Sequence, residues 1–187
     1  MLFNYFKSNS TLCTVTGKSS EKVVFARASK NAANDYRFNN VFKGLLQPNT
    51  SLAIGDIIND GLNSFILTAK YSSNNNDIEC RLLKCNCTVN IVKIEGVYVS
   101  GTKTGDKETS LYTSKPANQQ QISANLKLID PGLLSDTVRK FTLPVLTINL
   151  NDRIKIASEC FQITAIDSVT TPGILIIQTK VDIRKTT

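Results

Sequence analysis

An internal repeat with an offset of 96 residues is the feature that most constrains the fold. Residues 51–70 align with residues 147–166 without a gap, and in both copies a Phe stands nine positions after an Asp. Apolar residues alternate around these two positions, which predicts strands that keep their apolar side chains on one face of a sheet. The matched pairs are Leu52 with Ile148, Ile54 with Leu150, Asp56 with Asp152, Ile58 with Ile154, Phe65 with Phe161, and Thr68 with Thr164.

The repeat predicts a mainly β protein made of two small β-barrel or sandwich modules, with long polar loops and little helix. Any two β segments align to some extent through alternation alone, but the fixed Asp–Phe spacing favours a true repeat. The predicted divisions are an N-terminal arm with the first strands (1–50), a first β-barrel module (51–99), a long polar loop (100–121) and a second β-barrel module (122–187).

Local signals add turns and strands to this outline. Asn59-Asp60-Gly61 is a hairpin signal, and Pro172-Gly173 is a turn signal. The clean alternation of Ile122, Ala124, Leu126 and Leu128 predicts a strand. The remaining expectations are strands at 12–16 and 21–28, a polar turn at 72–77, and either a short helix or a loop and strand at 32–46.

Residues 100–121 are polar, contain three lysines and are long for a connection inside a compact domain. Three interpretations stay open: a loop that becomes ordered against a partner, a long hairpin projecting from the barrel, or a disordered segment. The candidate residues for contact with a neighbouring subunit or a channel are Lys103, Lys107, Tyr112 and Lys115.

The formal net charge of +7 is uneven, with +5 over residues 1–50, −1 over 51–100 and +3 over 101–187. The basic residues of the first 50 are scattered and no nucleic-acid-binding signature accompanies them, so a solvated basic surface is favoured over a nucleic-acid site. Sequence-independent proximity to DNA is the open alternative. The sequence has no run of 18 apolar residues, which predicts that the chain does not cross a membrane.

Catalysis and metal binding have little support in the composition. The chain has no His, so the Ser-His and Cys-His pairings are absent, and we predict that it is not an enzyme and has no cofactor. Asp56 and Asp152 occupy matching turn positions, where capping of backbone N–H groups explains a carboxylate without chemistry. The five cysteines are Cys13, Cys80, Cys85, Cys87 and Cys160. An all-thiolate zinc site formed by Cys80, Cys85, Cys87 and one further cysteine is conceivable, but buried reduced thiols are the favoured interpretation.

Several short motifs recur along the chain. The first copy runs from Gly55-Asp56-Ile57 through a hairpin to Phe65-Ile66-Leu67-Thr68 and later to Lys84-Cys85-Asn86. The later motifs are residues 130–134 (DPGLL), 152–154 (DRI), 161–163 (FQI) and 172–174 (PGI). Together these motifs resemble the head-completion, or neck, proteins of tailed bacteriophages, and the resemblance covers roughly residues 50–183. Asn151 stands where the first copy has Gly55, which leaves open whether both hairpins turn alike.

This resemblance implies a structural protein of the virion, assembled in the host cytoplasm, that forms a ring between portal and tail. Its implied partners are copies of itself, a portal or adaptor protein and tail proteins, with non-specific contact to packaged DNA through Lys103, Lys107 and Lys115 as a further expectation. Two alternatives remain: another virion ring protein (a tail terminator, baseplate or decoration protein) or a small nucleic-acid-binding barrel, which needs aromatic platforms beside basic residues.

Overall fold

The computed structural model describes residues 2–27, 40–72, 77–130 and 132–184, and the secondary structure of these ranges is mostly β. A short helix α1 (Leu2–Tyr5) and a 3₁₀ turn (Lys7–Asn9) precede the first strand, and a second helix α2 spans Ala124–Ile129. The strands are β1 Thr11–Val15, β2 Lys18–Arg27, β3 Val41–Leu46, β4 Ile57–Asn59, β5 Ser64–Ser72, β6 Ile78–Lys84, β7 Cys87–Val99, β8 Thr102–Gln121, β9 Arg139–Pro144, β10 Arg153–Ile156, β11 Glu159–Asp167 and β12 Ile174–Val181.

The first six strands close into a barrel with the spatial order β1-β2-β3-β6-β5-β4. Alternate residues of these strands point inward, as the period-two pattern predicts, and they form a single apolar core. Phe25 and Phe42 pack against the ring of Phe65 at its centre. The buried members of this core are Cys13, Val15, Val23, Leu46, Leu52, Ile58, Phe65, Leu67, Cys80 and Leu82.

The last six strands close into a second barrel with the equivalent order β7-β8-β9-β12-β11-β10. The sequence therefore predicts the fold class correctly, with two β-barrel modules and little helix. The centre of the second core is the pair Phe141 and Phe161, whose ring centroids lie 6.0 Å apart. Its buried members are Val89, Ile91, Ala117, Phe141, Leu143, Ile154, Phe161, Ile163, Leu175 and Ile177.

The internal repeat is visible in strand pairing. Ile58 faces Phe65 across the β4–β5 pair, and Ile154 faces Phe161 across the β10–β11 pair, so the register is identical at an offset of 96. A β-bulge interrupts β5 at Thr68 and β11 at Thr164. Each threonine hydroxyl donates to a carbonyl of the next strand, at 3.1 and 3.0 Å respectively. Two barrels that share pairing, register and bulge confirm the repeat.

The two Asp turns also have matching hydrogen bonds. Asp56 Oδ2 accepts the backbone N–H of Ala53 at 2.7 Å, and Asp152 Oδ2 accepts that of Asn149 at 2.7 Å. This confirms the predicted capping role of both carboxylates. The preceding residue has positive φ in both copies, +95° at Gly55 and +71° at Asn151, so the two hairpins turn alike.

The difference between Gly55 and Asn151 has a steric cause. The first compact unit consists of Met1–Cys85 with Val169–Ile174. Within it, a Cβ at Gly55 would lie 2.0 Å from the carbonyl oxygen of Gly173. Glycine is therefore required at this turn, whereas asparagine, which tolerates the left-handed region better than most residues, suffices at position 151.

The module boundaries differ from those expected. The predicted first module, 51–99, contains only β4, β5 and β6 of the first barrel, and three strands cannot close a barrel. The arm 1–50 supplies β1, β2 and β3, while β7 belongs to the second barrel. The second compact unit consists of Asn86–Ser168 with Leu175–Thr187. The predicted loop 100–121 is mostly strand, and the long hairpin is the alternative that the structure supports.

The strand predicted over residues 122–128 is wrong, because 124–129 form α2. The Ser123 side chain accepts the backbone N–H of Leu126 at 3.3 Å and begins the helix as an N-cap. Ile122 and Leu126 are buried and Leu128 is exposed. Ile122 lies before the N-cap and Leu126 lies within the helix, whereas Ala124 and Leu128 are exposed, so the four apolar residues do not share one buried face.

The other local predictions that the described residues test are confirmed. Strands occur at 11–15, 18–27 and 41–46, and Asp60 closes a hairpin between β4 and β5 by accepting the N–H groups of Leu62 and Asn63. The Pro172-Gly173 turn precedes β12. Residues 28–39, 73–76 and Pro131 lie outside the described ranges, and with them parts of the predictions for 21–28, 32–46, 72–77 and the Asp130-Pro131-Gly132 turn.

Candidate functional site

The candidate site is a two-stranded β-ribbon at the end of the β7–β8 hairpin. Within the barrel, β10 pairs with Asn90–Val92 of β7, and β9 pairs with Asn118–Gln121 of β8. Beyond these limits, the segments 93–99 and 102–109 form β-strand pairs with each other and with no other described strand. Seven residues at about 3.3 Å each give the ribbon a length of roughly 23 Å. Both of its outer edges carry backbone groups that no described strand pairs with.

The ribbon ends in a tight turn. Ser100 has φ +49° and Gly101 has φ +83°, so both central residues of this two-residue turn lie in the left-handed region. Such turns match the right-handed twist of paired strands. The Thr104 hydroxyl donates to the Val97 carbonyl at 3.2 Å, beside a bulge between Val97 and Tyr98. The turn and the bulge give the tip a defined backbone.

The tip is apolar and exposed. Tyr98 and Val99 are 65% and 59% exposed, and Val97 is also exposed. A Cβ at Gly96 would meet the Tyr98 ring at 2.9 Å, so the ring rests on the bare backbone of the glycine two residues earlier on the same face of the strand. Glycine at position 96 thus leaves room for the Tyr98 ring, which remains exposed to solvent.

A buried ion network fixes the base of the ribbon. Arg153 on β10 is 3% exposed, and its guanidinium donates to Glu108 on β8, to Asp182 at 2.8 Å and to the Arg184 carbonyl at 2.7 Å. Lys155 also pairs with Glu108. Burial alone would raise the pKa of Asp182, but hydrogen bonds from Arg184 and Arg153 outweigh it and hold that pKa well below its usual range.

Glu108 joins the ribbon to this network. Burial opposes its charged form, but hydrogen bonds from Lys155 and Arg153 lower the pKa of Glu108. A carboxylate that stays charged next to two cations holds β8 against β10 across the intervening strand β7. The direction of the ribbon is therefore set at its base as well as by strand pairing.

The structure divides the predicted contact residues between two places. Lys103 and Lys107 lie on the exposed part of the ribbon. Lys115 and Tyr112 lie where β8 forms part of the barrel wall, with the Lys115 ammonium 5.7 Å from the centre of the Tyr112 ring. The Tyr112 hydroxyl accepts the backbone N–H of Thr147 at 3.1 Å, and its ring packs against the second core. These four residues do not form one cluster.

Charges on the ribbon are balanced. Between residues 93 and 109 there are three lysines and three acidic residues. Lys103 pairs with Asp106 at 2.7 Å and Lys93 with Glu95 at 2.7 Å, while Lys107 stands opposite Glu95 in the strand register. A carboxylate beside each lysine reduces the attraction that the predicted contact with DNA phosphates would need.

The repeat positions lie in structural settings. Phe65 and Phe161 are each 3% exposed inside a barrel, and Asp56 and Asp152 cap backbone turns. Buried rings cannot stack on nucleic-acid bases, so these two phenylalanines offer no support for the nucleic-acid-binding alternative.

The cysteines do not meet in one place. Cys80 lies in the first core with Cys13, whereas Cys87 packs against the second core. Burial raises the pKa of Cys13 to about 11 and that of Cys80 to about 12. In the part of the chain that the structure describes, no group of three or more Cys, Asp or Glu side chains is arranged to hold a metal ion.

A groove of about 480 Å³ lies on the first compact unit between α1 and the outer side of β2 and β3. Its lining is mainly apolar, and Asn9, Lys43 and Glu79 supply its polar groups. Phe3 of α1 is buried, and its backbone N–H donates to Asp77 at 3.2 Å, which fastens the helix beside the groove. The apolar lining consists of Leu2, Phe6, Val24, Phe25, Ala26, Gly44 and Leu45.

Sequence reasoning missed the apolar tip and the groove. A signal for the tip exists, because Val97, Tyr98 and Val99 stand directly before the Ser100-Gly101 turn, where polar residues are the norm. The groove has no such signal, since its lining comes from α1 and three strands that are distant in sequence.

Among the described helices, neither combines the length and the apolar character that crossing a bilayer requires. No protein-family model matches the chain, and no curated protein matches it either.

Proposed function

We propose that this chain is a structural subunit that assembles with copies of itself into a ring through its β-ribbon. The observation that carries this proposal is a β-ribbon whose two strand segments, 93–99 and 102–109, form strand pairs with each other and with no other described strand. Exposed strand edges are templates for pairing with another chain, and soluble proteins usually cover or blunt them. A ribbon that keeps two of them is suited to β-augmentation by a neighbour.

The two edges differ, which favours a ring over a symmetric dimer. One edge belongs to β7 and the other to β8, so pairing of a β7 edge with a β8 edge uses a different surface on each subunit. Such heterologous contacts repeat head to tail and close into a ring when the rotation per subunit permits. However many copies have joined, the open oligomer has one β7 edge at one end and one β8 edge at the other, and these two edges pair when the ring closes.

Within this class we propose a neck protein of a tailed bacteriophage, located in the virion between portal and tail. This narrower assignment is supported by the sequence motifs described above, including Gly55-Asp56-Ile57 and Phe65-Ile66-Leu67-Thr68. Its partners would be a portal or adaptor protein and tail proteins. The chain would act without catalysis and without a cofactor, and its contact with packaged DNA would be independent of base sequence.

Electron microscopy of the purified full-length chain tests the ring. We expect closed rings with a central channel, in equilibrium with free subunits. A variant in which residues 96–106 are replaced by a two-residue turn keeps Glu108, should remain folded by far-UV circular dichroism, and should lose the rings. A chain that stays monomeric at millimolar concentration, or a shortened variant that still forms rings, would contradict the proposal.

Two further measurements test the narrower assignment. Co-sedimentation with purified portal rings should show saturable binding of the full-length chain. Titration with single- and double-stranded DNA at several salt concentrations separates the nucleic-acid alternative, because tight, salt-sensitive binding by the monomer would favour a DNA-binding barrel instead.

A further inference from the structure

The two strands of the ribbon carry charges of both signs on one face. On β7, Lys93 Nζ and Glu95 Oε1 lie 2.7 Å apart, and both side chains are half-exposed. On β8, the exposed Lys107 stands opposite Glu95, and cross-strand partners share a face of the sheet. Edge lysines alone keep a second copy of the same strand away. An edge with both signs can instead select the position at which a neighbour pairs.

We propose that the β8 edge of one ribbon pairs antiparallel with the β7 edge of a second copy, so that Lys107 of the first lies opposite Glu95 of the second. This pairing deepens the proposed ring function and rests on it. It repeats between copies the register that each ribbon already has within itself. Lys107 and Glu95 then alternate from ribbon to ribbon.

Backbone geometry limits the registers that a neighbour can adopt. The cyclic symmetry of a ring points all ribbons in the same direction along its axis, so β8 of one copy meets β7 of the next in antiparallel orientation. Antiparallel pairs alternate between hydrogen-bonded and non-hydrogen-bonded residues. A residue whose N–H and C=O bond across its own ribbon cannot turn them to a neighbour. The neighbour can therefore shift only in steps of two residues, which also keeps the side-chain faces aligned.

Charge distinguishes the unshifted register from the two nearest alternatives. Without a shift, Glu95 lies opposite Lys107. A shift of two residues in one direction places Lys93 opposite Lys107, and like charges in direct opposition are destabilising. The same shift in the other direction places Glu95 opposite Thr109. Of these three registers, only the unshifted one brings opposite charges together.

The charges act on position more than on affinity. Exposed ion pairs contribute little to binding, and salt screens them. Affinity in strand addition comes mainly from backbone hydrogen bonds along the paired edges. The preference for the unshifted register should therefore be strongest at low salt.

Charge reversal tests the register through self-association of the full-length chain, measured by analytical ultracentrifugation at low salt. Glu95→Lys or Lys107→Glu alone places like charges in opposition at every contact between copies. Each variant should associate at least about tenfold more weakly than the parent chain. The matched controls are Glu79→Lys and Lys43→Glu, which make the same charge changes at exposed positions of the first barrel. Both controls should associate like the parent.

Mixing the two variants separates contact between copies from damage within one ribbon. Each variant has like charges across its own ribbon, and mixing leaves that defect in place. In an equimolar mixture, Lys107 of the Glu95→Lys chain can meet Glu95 of the Lys107→Glu chain, and the two substituted positions also have opposite charges. The mixture should therefore associate like the parent chain, with the two variants alternating. Far-UV circular dichroism confirms that each variant is folded.

Carbodiimide coupling of the parent chain provides a direct readout. The reagent joins carboxylates to amines that touch them, and an equal mixture of unlabelled and heavy-isotope-labelled chains marks the origin of each peptide. Linked Glu95–Lys107 peptides should include pairs with one labelled and one unlabelled member. The internal control is Glu108 with Lys155, which pair within one chain and should link only peptides of the same label.

The remaining outcomes separate this register from the ring itself. If the parent forms rings but every Glu95–Lys107 link joins peptides of one label, the register is wrong and the ring proposal stands. The same conclusion follows if both variants associate like the parent, or if mixing them restores nothing. If the parent chain never associates, both proposals fall.

Discussion

Replacing Asp182 with Asn tests the buried ion network at the base of the ribbon. The Asp182 side chain is fully buried and receives hydrogen bonds from the guanidinium groups of Arg153 and Arg184 at 2.8 and 2.6 Å. The substitution keeps the shape of the side chain and removes its charge. Arg153, itself buried, is then left with Glu108 as its carboxylate partner.

The expected cost is large for a single substitution. Breaking a buried ion pair by removing one partner typically costs about 3–5 kcal/mol, because the remaining charge stays desolvated. For a chain of this size, 1 kcal/mol corresponds to a shift of roughly 2–4 °C in melting temperature. We therefore expect Asp182→Asn to lower the melting temperature of the chain by about 6–20 °C.

The pH dependence provides an independent check with a fixed sign. The pKa of Asp182 is lower in the folded chain than its unfolded value of about 3.9. Such a group contributes stability above the unfolded pKa and loses it as pH falls through the folded pKa. The stability difference between the parent chain and Asp182→Asn should be constant from about pH 5 to 7 and shrink below about pH 4.

The assay is thermal unfolding followed by circular dichroism at several pH values, with Asp136→Asn as the matched control. Asp136 pairs with Lys180 at 3.4 Å, and both side chains are largely exposed. An exposed pair contributes roughly 0–1 kcal/mol, so the control should change little. The reasoning fails if Asp182→Asn and Asp136→Asn lose the same small amount of stability. It also fails if the stability difference between the parent chain and Asp182→Asn does not depend on pH.

Three smaller predictions use other features of the two barrels. Gly61→Ala should lower the free energy of unfolding in urea by roughly 1–2 kcal/mol, because φ at this position is +94° and no neighbouring atom obstructs a Cβ. Gly55→Ala should lower it by roughly 1–3 kcal/mol more, because its Cβ would also meet the Gly173 carbonyl. Equal losses for the two variants would refute the clash. Burial raises the pKa of Cys80 to about 12, so very little of this thiol is ionised at pH 8. Maleimide labelling of Cys80 at pH 8, measured by peptide mass spectrometry, should therefore be at least about 100-fold slower in the folded than in the unfolded chain. Fast labelling of the folded chain would contradict the burial of Cys80. Ser123→Ala should cost about 1 kcal/mol by removing the cap of α2, and no change in urea unfolding would show that the cap contributes nothing.

The repeat made the fold class predictable, but it covers only two of the six strands of each barrel. The aligned segments correspond to the β4–β5 and β10–β11 hairpins, where register and turn chemistry tie each residue to its neighbours in sequence. Closure depends on pairs such as Val15 with Ile58 and Ile91 with Ile154. Pairing between strands so far apart in sequence leaves no local pattern, and the predicted module boundary at residue 99 missed it.

The misassigned helix shows a limit of alternation as a signal. Ile122, Ala124, Leu126 and Leu128 read equally well as a strand when every apolar residue is counted as inward. Leu128 is exposed, so the true inward set is Ile122 and Leu126. Ser123 is a local sign of a helix, because serine is a common N-cap residue. Whether it caps a helix is decided only when the burial of its neighbours is known.

The contact residues were predicted from composition, which does not report geometry. Three lysines in a polar stretch indicated an electropositive loop. In the structure, Lys103 pairs with Asp106 and Lys107 faces Glu95 across the ribbon, so nearby carboxylates offset the positive charge of both lysines. Cross-strand partners follow from the β7–β8 register, which contains three irregularities and cannot be counted from the turn alone. Tyr98, the most exposed apolar side chain of the tip, lies just before residues 100–121, the segment from which the contact residues were predicted.

The β7–β8 hairpin occupies the same place in the second barrel as the β1–β2 hairpin does in the first, and the contrast between them has a practical consequence. The first has strands of five and ten residues, and the second has strands of 13 and 20. When a hairpin is lengthened at its turn, the strand pairs nearer the barrel stay the same. The barrel wall is therefore unaffected by the added length. The β1–β2 hairpin is thus the short equivalent of the β7–β8 hairpin within the same chain. Its connection at Thr16-Gly17 is a template for shortening the β7–β8 hairpin or for grafting a different recognition segment onto the second barrel.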